Sequence, residues 1–221
     1  MDINAFLDFT LLNASTTERD VINLCHEALN NNYHSVCVNG CYVPLAKQLL
    51  SSTSVKICSV VGFPLGAMST QAKVFEAKKA IEDGADEIEM VINIGLLKSR
   101  NYMSLLKDIF DVKLAVGKKP LKAIIEINEL SKNEIIKACE ICIDAKVDFI
   151  KTSTGLGNRG ATLTAVKIIK KTVRDKIKIV ASGNIKDIET AFKYLEKGVD
   201  RISITSEIKN SRNKILSSVY S

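Results

Sequence analysis

The sequence predicts an α/β protein folded as a single (β/α)8 barrel across residues 1–221, and three observations lead there. Short β-branched runs alternate with helical patterns along the whole chain. The strand candidates are so apolar that each must be covered on both faces, the condition of a parallel sheet. Eight such units in 221 residues suit one closed barrel better than an open doubly wound sheet, which usually stops at fewer strands.

The elements follow in order. FLDFTLL is the first strand, before the helix TTERDVINLCHEALNN. HSVCVN leads to VPLAKQLL, and VKICSVVGF to STQAKVFEAKKAIEDG. EIEMVINIG leads to YMSLLKDIFDVKLAVG, and LKAIIEI to SKNEIIKACEICIDAK. DFIKTST precedes TLTAVKIIKKTV, KIKIVASGN precedes DIETAFKYLEKG, and RISITS is the eighth strand. No short repeat or low-complexity linker interrupts the alternation.

Composition narrows the function. Lys and Arg number 31 against 25 Asp and Glu, a net charge of +6 spread along the chain rather than gathered in a tail. Such a balance suits small anions and gives no reason to expect nucleic acid. MDINAFLDFTLL has acids where a signal peptide needs basic residues, and Gly62, Pro64 and Gly66 break the longest apolar runs. A cytoplasmic protein with no membrane span is the expectation. Six cysteines then read as reduced thiols. Cys139 and Cys142 form a C-x-x-C, but within an amphipathic helix and without a second ligand pair; with only two histidines in the chain, core packing is the better reading and no metal is expected.

The chemistry-bearing residues sit where a barrel keeps its active face, at the C-terminal ends of the strands. Lys151, near the end of its strand, shares a face with Phe149. Directed inward, its amine loses hydration, which favours the neutral, nucleophilic form needed for Schiff-base chemistry; the other reading is a lysine that snorkels outward or pairs with an acid. Glu89 is a carboxylate in mid-strand, on the face of Glu87, Val91 and Asn93. Asp8 and Thr10 are likewise polar where packing alone favours aliphatics. Asp8 and Glu89 read either as partners of a catalytic amine or as a structural hydrogen-bond network.

Small-residue turns end the last two strands, Ser182–Asn184 and Ser203–Ser206, and backbone N–H groups in such turns bind phosphate. The run from Gly155 to Gly160 matches G-x-G-x-x-G, but the next strand ends in Ser182 rather than in an acid for a ribose hydroxyl, so a dinucleotide site is disfavoured.

These residues carry a resemblance nearly end to end. LDFTLL, SVCVN followed by YVPLAK, VVGFPLGAMST, EAKKAIEDGADEIEMVINIG, DFIKTSTG, GAT and ASGNI together resemble the 2-deoxyribose-5-phosphate aldolase family. FIKTSTG is the specific motif, because the family's Schiff-base lysine falls on Lys151. The resemblance implies a cofactor-free class I aldolase, commonly a homodimer, that acts on a sugar phosphate. It assigns catalysis to Lys151, Glu89 and Asp8. Substrate contacts fall on Thr10, Cys37, Thr152, Gly160, Gly183, Asn184, Thr205 and Ser206.

The chain departs from that pattern where it matters. Glu89 stands for an aspartate, a change of one methylene that can displace a proton acceptor by about 1 Å and cost roughly 100-fold in rate. Val180 stands for the family's second lysine, which would help depress the nucleophile's pKa. Lys178 has the same strand parity as Val180, about 6.6 Å below it, and is the candidate to compensate. Arg159 and Asn184 replace glycines near the phosphate turns, SITSE replaces GTSSG, Gly40 stands for a proline and LLNA for LLKP. Two readings follow: a working aldolase with a rewired proton relay, or an impaired barrel that binds a sugar phosphate or a protein partner.

Overall fold

A computed structural model of the chain describes residues 3–156 and 160–205. Eight parallel strands close in sequence order, each hydrogen-bonded to the next and β8 to β1: β1 (Leu7–Leu11), β2 (Ser35–Val38), β3 (Lys56–Val61), β4 (Glu87–Val91), β5 (Leu121–Ile124), β6 (Phe149–Lys151), β7 (Lys178–Ser182) and β8 (Arg201–Thr205). Around them run α1 (Glu18–Asn30), α2 (Val43–Leu50), α3 (Thr70–Glu82), α4 (Ile94–Lys98), α5 (Tyr102–Val116), α6 (Lys132–Asp144), α7 (Leu163–Val173) and α8 (Ile188–Leu195). The (β/α)8 barrel expected from the alternation is the fold observed.

Local chemistry sets the boundaries. Thr17 and Ser131 close reciprocal capping boxes with Asp20 and Glu134 at the starts of α1 and α6, and Ser69, Asn93, Asn101, Thr162 and Asp187 accept from N3 backbone N–H groups at five other starts. Asn93 accounts for α4: EIEMVINIG reads as one strand, but this cap turns the chain into a helical turn after Ile92.

Strand parity divides the core. Leu7, Phe9, Val36, Ile57, Ile88, Leu121, Ile150, Ile179 and Ile202 belong to the apolar layer shared with the helices, where Cys25, Cys139 and Cys142 are also buried. The Cys139 thiol is pushed up to about 12 by burial, which suits a packed side chain rather than a reactive one. A fully buried charged pair also lies in this outer layer. Lys73 on α3 donates to Asp108 on α5 at 2.6 Å and to the Val91 carbonyl at 3.2 Å, while Thr70 donates to the other Asp108 oxygen at 2.8 Å. No helix of the described residues is long and apolar enough to cross a membrane.

Candidate active site

Inside the barrel the opposite strand faces converge on an ionic network. Lys151 closes β6 with its side chain fully buried and donates to Glu89 on β4 at 2.5 Å. The other Glu89 oxygen accepts from Lys122 on β5 at 3.0 Å. Lys122 also lies 2.8 Å from Asp8 and 3.0 Å from Glu87. Arg201, at the start of β8, grips Glu87 through two nitrogens at 2.9 and 2.8 Å and reaches Asp8 at 3.2 Å. Ser35 donates to the same Asp8 oxygen at 2.7 Å. Three carboxylates thus face three cations within one network. Among the described residues, only Thr16 Oγ1 is a buried side-chain oxygen or nitrogen without a hydrogen-bond partner, so the network meets the condition under which buried charge is tolerated.

The electrostatics bear on the amine. Burial alone pushes Lys151 down, but the Glu89 carboxylate in contact with it outweighs that effect, and its pKa lies above the ordinary lysine value. Burial raises Glu89, and Lys151 and Lys122 overcome it, so this carboxylate is held below its usual range. Lys122 is opposed by burial and held well above the ordinary value by Asp8, Glu89 and Glu87. The resting state is therefore an ammonium at Lys151 against a carboxylate at Glu89. A carbonyl substrate requires a proton to leave Lys151 before attack, and Glu89 is the acceptor in contact.

The residues singled out in the sequence fall into place unevenly. Asp8, Glu89 and Lys151 share one network. Cys37 on β2 donates through sulfur to Glu89 at 3.6 Å. Thr10 is buried and bonded to Ser203 at 3.0 Å. Thr152, just past β6, is fully buried, and its hydroxyl accepts from Ser182 N at 2.9 Å and donates to Ser182 O at 3.0 Å, a seam with the end of β7. Val180 is the register partner of Lys151, so an aliphatic residue is its neighbour across the β6–β7 pair.

Lys178 does not compensate. It is exposed at the N-terminal end of β7, pairs in register with Phe149 and places its ammonium 5.6 Å from that ring's centre. Phe149 lies between it and the amine end of β6, and Arg201 covers the same ring at 4.4 Å, so the expectation that Lys178 reaches up is corrected.

At the turns where the sequence suggests phosphate binding, the loop after β6 docks on the turn after β7. Ala161 N donates to the Ser182 and Gly183 carbonyls at 2.9 and 3.1 Å. A Cβ at Gly160 would lie 2.2 Å from the Gly183 backbone, so only glycine fits that approach. Gly183 and Asn184 both adopt positive φ, 87° and 59°, a conformation asparagine tolerates better than most side chains. This contact explains the last glycine of the G-x-G-x-x-G run without a dinucleotide. Thr205 ends β8 exposed. Ser206 and Arg159 lie outside the described residues.

Several members of the site were missed in the sequence. Lys122 carries the same signal as Lys151, a lysine in the apolar run LKAIIE, and Arg201 in RISIT carries it too. Glu126, just past β5 with φ 46°, was also missed; it accepts from Thr154 N and Oγ1 at 2.9 and 2.7 Å and ties down the segment that follows Lys151.

A family model described as DeoC/LacD family aldolase matches residues 4–199. The chain is 51% identical over 209 residues to the deoxyribose-phosphate aldolase of Finegoldia magna, covering 95% of this chain and 98% of that protein. It is 48% identical over 207 residues to the enzyme of the same name from Mannheimia succiniciproducens, covering 94% and 92%. Among solved structures, one described as "QR15, an Aldolase" superposes with a TM-score of 0.91 at 37% identity, covering 100% of this chain and 99% of that one. The deoxyribose phosphate aldolase of Aeropyrum pernix, described as a unique tetramer, superposes with a TM-score of 0.84 at 28% identity, covering 99% and 91%.

Proposed function

Because the chain belongs to the DeoC/LacD aldolase family, we propose that it is a class I aldolase that cleaves 2-deoxy-D-ribose 5-phosphate to D-glyceraldehyde 3-phosphate and acetaldehyde. The observation that carries this reading is the buried Lys151 amine in contact with Glu89 at the C-terminal end of the barrel. Glu89 takes a proton from the Lys151 ammonium, and the freed amine adds to the aldehyde carbon of the open-chain sugar. Loss of water leaves a protonated imine. Glu89, its proton released, then accepts the proton of the C3 hydroxyl; the C2–C3 bond breaks and its electron pair flows into the imine, which becomes an enamine. Glyceraldehyde 3-phosphate departs, C2 is protonated, and hydrolysis frees acetaldehyde and Lys151.

With valine at 180, the second ammonium of the site is Lys122. It reaches Glu89 from the far side, keeps that carboxylate ionised between turnovers, and is itself oriented by Asp8 and Glu87. The extra methylene of Glu89 lets one carboxylate touch both amines directly. The substrate phosphate docks at Gly183 and Asn184, beside Gly160 and Thr205, while Thr10 and Cys37 border the sugar. Thr152 acts by holding β6 against β7. The compartment is the cytoplasm, in keeping with cysteines that are all unpaired. The assembly is a homodimer: Phe75 on α3 and Leu114 on α5 line one groove and are 72% and 63% exposed, apolar surface of the kind a second subunit covers.

Turnover tests the proposal. Purified protein given 2-deoxyribose 5-phosphate should release glyceraldehyde 3-phosphate, followed through a coupled dehydrogenase, and Lys151→Leu should not. Absence of product from the unaltered chain at every pH tried contradicts it.

A further inference from the structure

A cluster of metal-ligand side chains lies in the same barrel. Cys37 and Cys58 are register partners on β2 and β3, and both are fully buried. With Glu89 they bring one ligand atom each within 4.8 Å of one another. Leu12, Val60 and Phe63 pack around the two sulfurs, so the thiols lie in an apolar recess with the carboxylate at its edge. All three ligands come from neighbouring strands, whose hydrogen-bonded register fixes their spacing.

We propose that Cys37, Cys58 and Glu89 form a binding site for a thiophilic divalent cation of the zinc class, and that occupancy of this site inhibits the enzyme. Two thiolates and a carboxylate are a ligand set that zinc accepts, with a fourth position left for water. Tetrahedral zinc needs its ligand atoms about 3.5–3.8 Å apart, so side-chain rotations of roughly an ångström close the site. Charge favours the exchange. Two thiol protons leave as one divalent cation enters, so the balance of Asp8, Glu87 and Glu89 against Lys122, Lys151 and Arg201 is kept. The cost falls on catalysis. Glu89 Oε2 is the oxygen in contact with both Lys151 and Cys37, and a metal that takes it removes the proton acceptor from the amine.

The inhibitory part rests on the aldolase reading; the binding part does not. Cobalt(II) added to the reduced protein is the probe. One equivalent should bind per chain with thiolate-to-cobalt charge transfer and intense tetrahedral d–d bands, and excess zinc should bleach them. Cys58→Ser should lose the bands, whereas Cys41→Ser, at the exposed cysteine, and Cys142→Ser, in α6, should keep them. X-ray absorption of the zinc-loaded unaltered protein should give two sulfur neighbours, which covers the case in which Cys58→Ser fails to fold. In the aldolase assay zinc should abolish turnover of the unaltered chain and spare Cys58→Ser. A metal shell of nitrogen and oxygen alone, bands that survive Cys58→Ser, or bands that vanish with Cys41→Ser would overturn the site. Correct binding with undiminished turnover would overturn the inhibition, and a chain that binds cobalt as described but never turns over would contradict the aldolase reading instead.

Discussion

Lys73 and Lys151 are both fully buried lysines in contact with a carboxylate, yet their surroundings differ. Lys73 lies outside the strands, between α3 and α5, with its own aspartate and a backbone carbonyl. Asp108 in turn takes a second bond from Thr70. That pair is closed, and it clamps two helices together. Lys151 shares its carboxylate with Lys122 and Cys37 and stands at the last residue of a barrel strand, where a substrate approaches. Burial of an amine therefore says little by itself. In the proposed mechanism, what sets Lys151 apart is a shared, proton-accepting partner at the open end of the barrel.

Substitutions can break that contrast, and the largest effect belongs to the amine. Lys151→Leu should lower kcat/KM on the order of 10^4-fold or more while the protein stays folded by circular dichroism. Lys73→Met should leave turnover per folded molecule nearly intact but strand Asp108 in the core, at about 3–5 kcal/mol of stability by urea unfolding. Equal losses of activity in the two variants would erase the distinction.

Glu89→Gln comes next, with an expected loss of about 10^2–10^4-fold in kcat. Its pH profile sharpens the point. Glu89 raises the Lys151 pKa, so neutral amine accumulates only as pH rises, and imine formation should speed up across the alkaline side. Removing the carboxylate lowers that pKa, and the rising limb should move to lower pH in single-turnover trapping. A limb that stays in place would show that Glu89 does not set the amine's charge. Gly160→Ala should act more mildly, raising KM for the phosphorylated sugar by about tenfold, since its Cβ meets the Gly183 backbone. Unphosphorylated deoxyribose should be far less affected. Lys178→Met, at the opposite end, should alter kcat by no more than about twofold.

The eight strands were legible because short β-branched runs alternate with helical patterns, and Lys151 because a charged group inside an apolar run stands out, although parity alone left its direction open. Glu89 was legible for the same reason. Parity reports which face a side chain takes, but not its height in the barrel relative to other strands, which depends on the register across each pair. Lys178 shows the limit: its parity matches Val180, yet its register partner is Phe149, whose ring closes the way. Lys122 was readable by the argument applied to Lys151; what no single strand reveals is that it lies within reach of three carboxylates from two other strands. The Cys37–Cys58 juxtaposition is likewise a product of register, whereas the adjacent-looking Cys139 and Cys142 are only helix core.

On the proposed mechanism Lys151 forms an imine although its register partner is Val180 rather than a second lysine. Borohydride reduction in the presence of 2-deoxyribose 5-phosphate traps such an imine, and intact and peptide mass spectrometry locate it. One adduct per chain is expected on the peptide that contains Lys151, none on those that contain Lys73, Lys122 or Lys178, and none in Lys151→Leu. An unmodified protein across the pH range, or an adduct on another lysine, would contradict it.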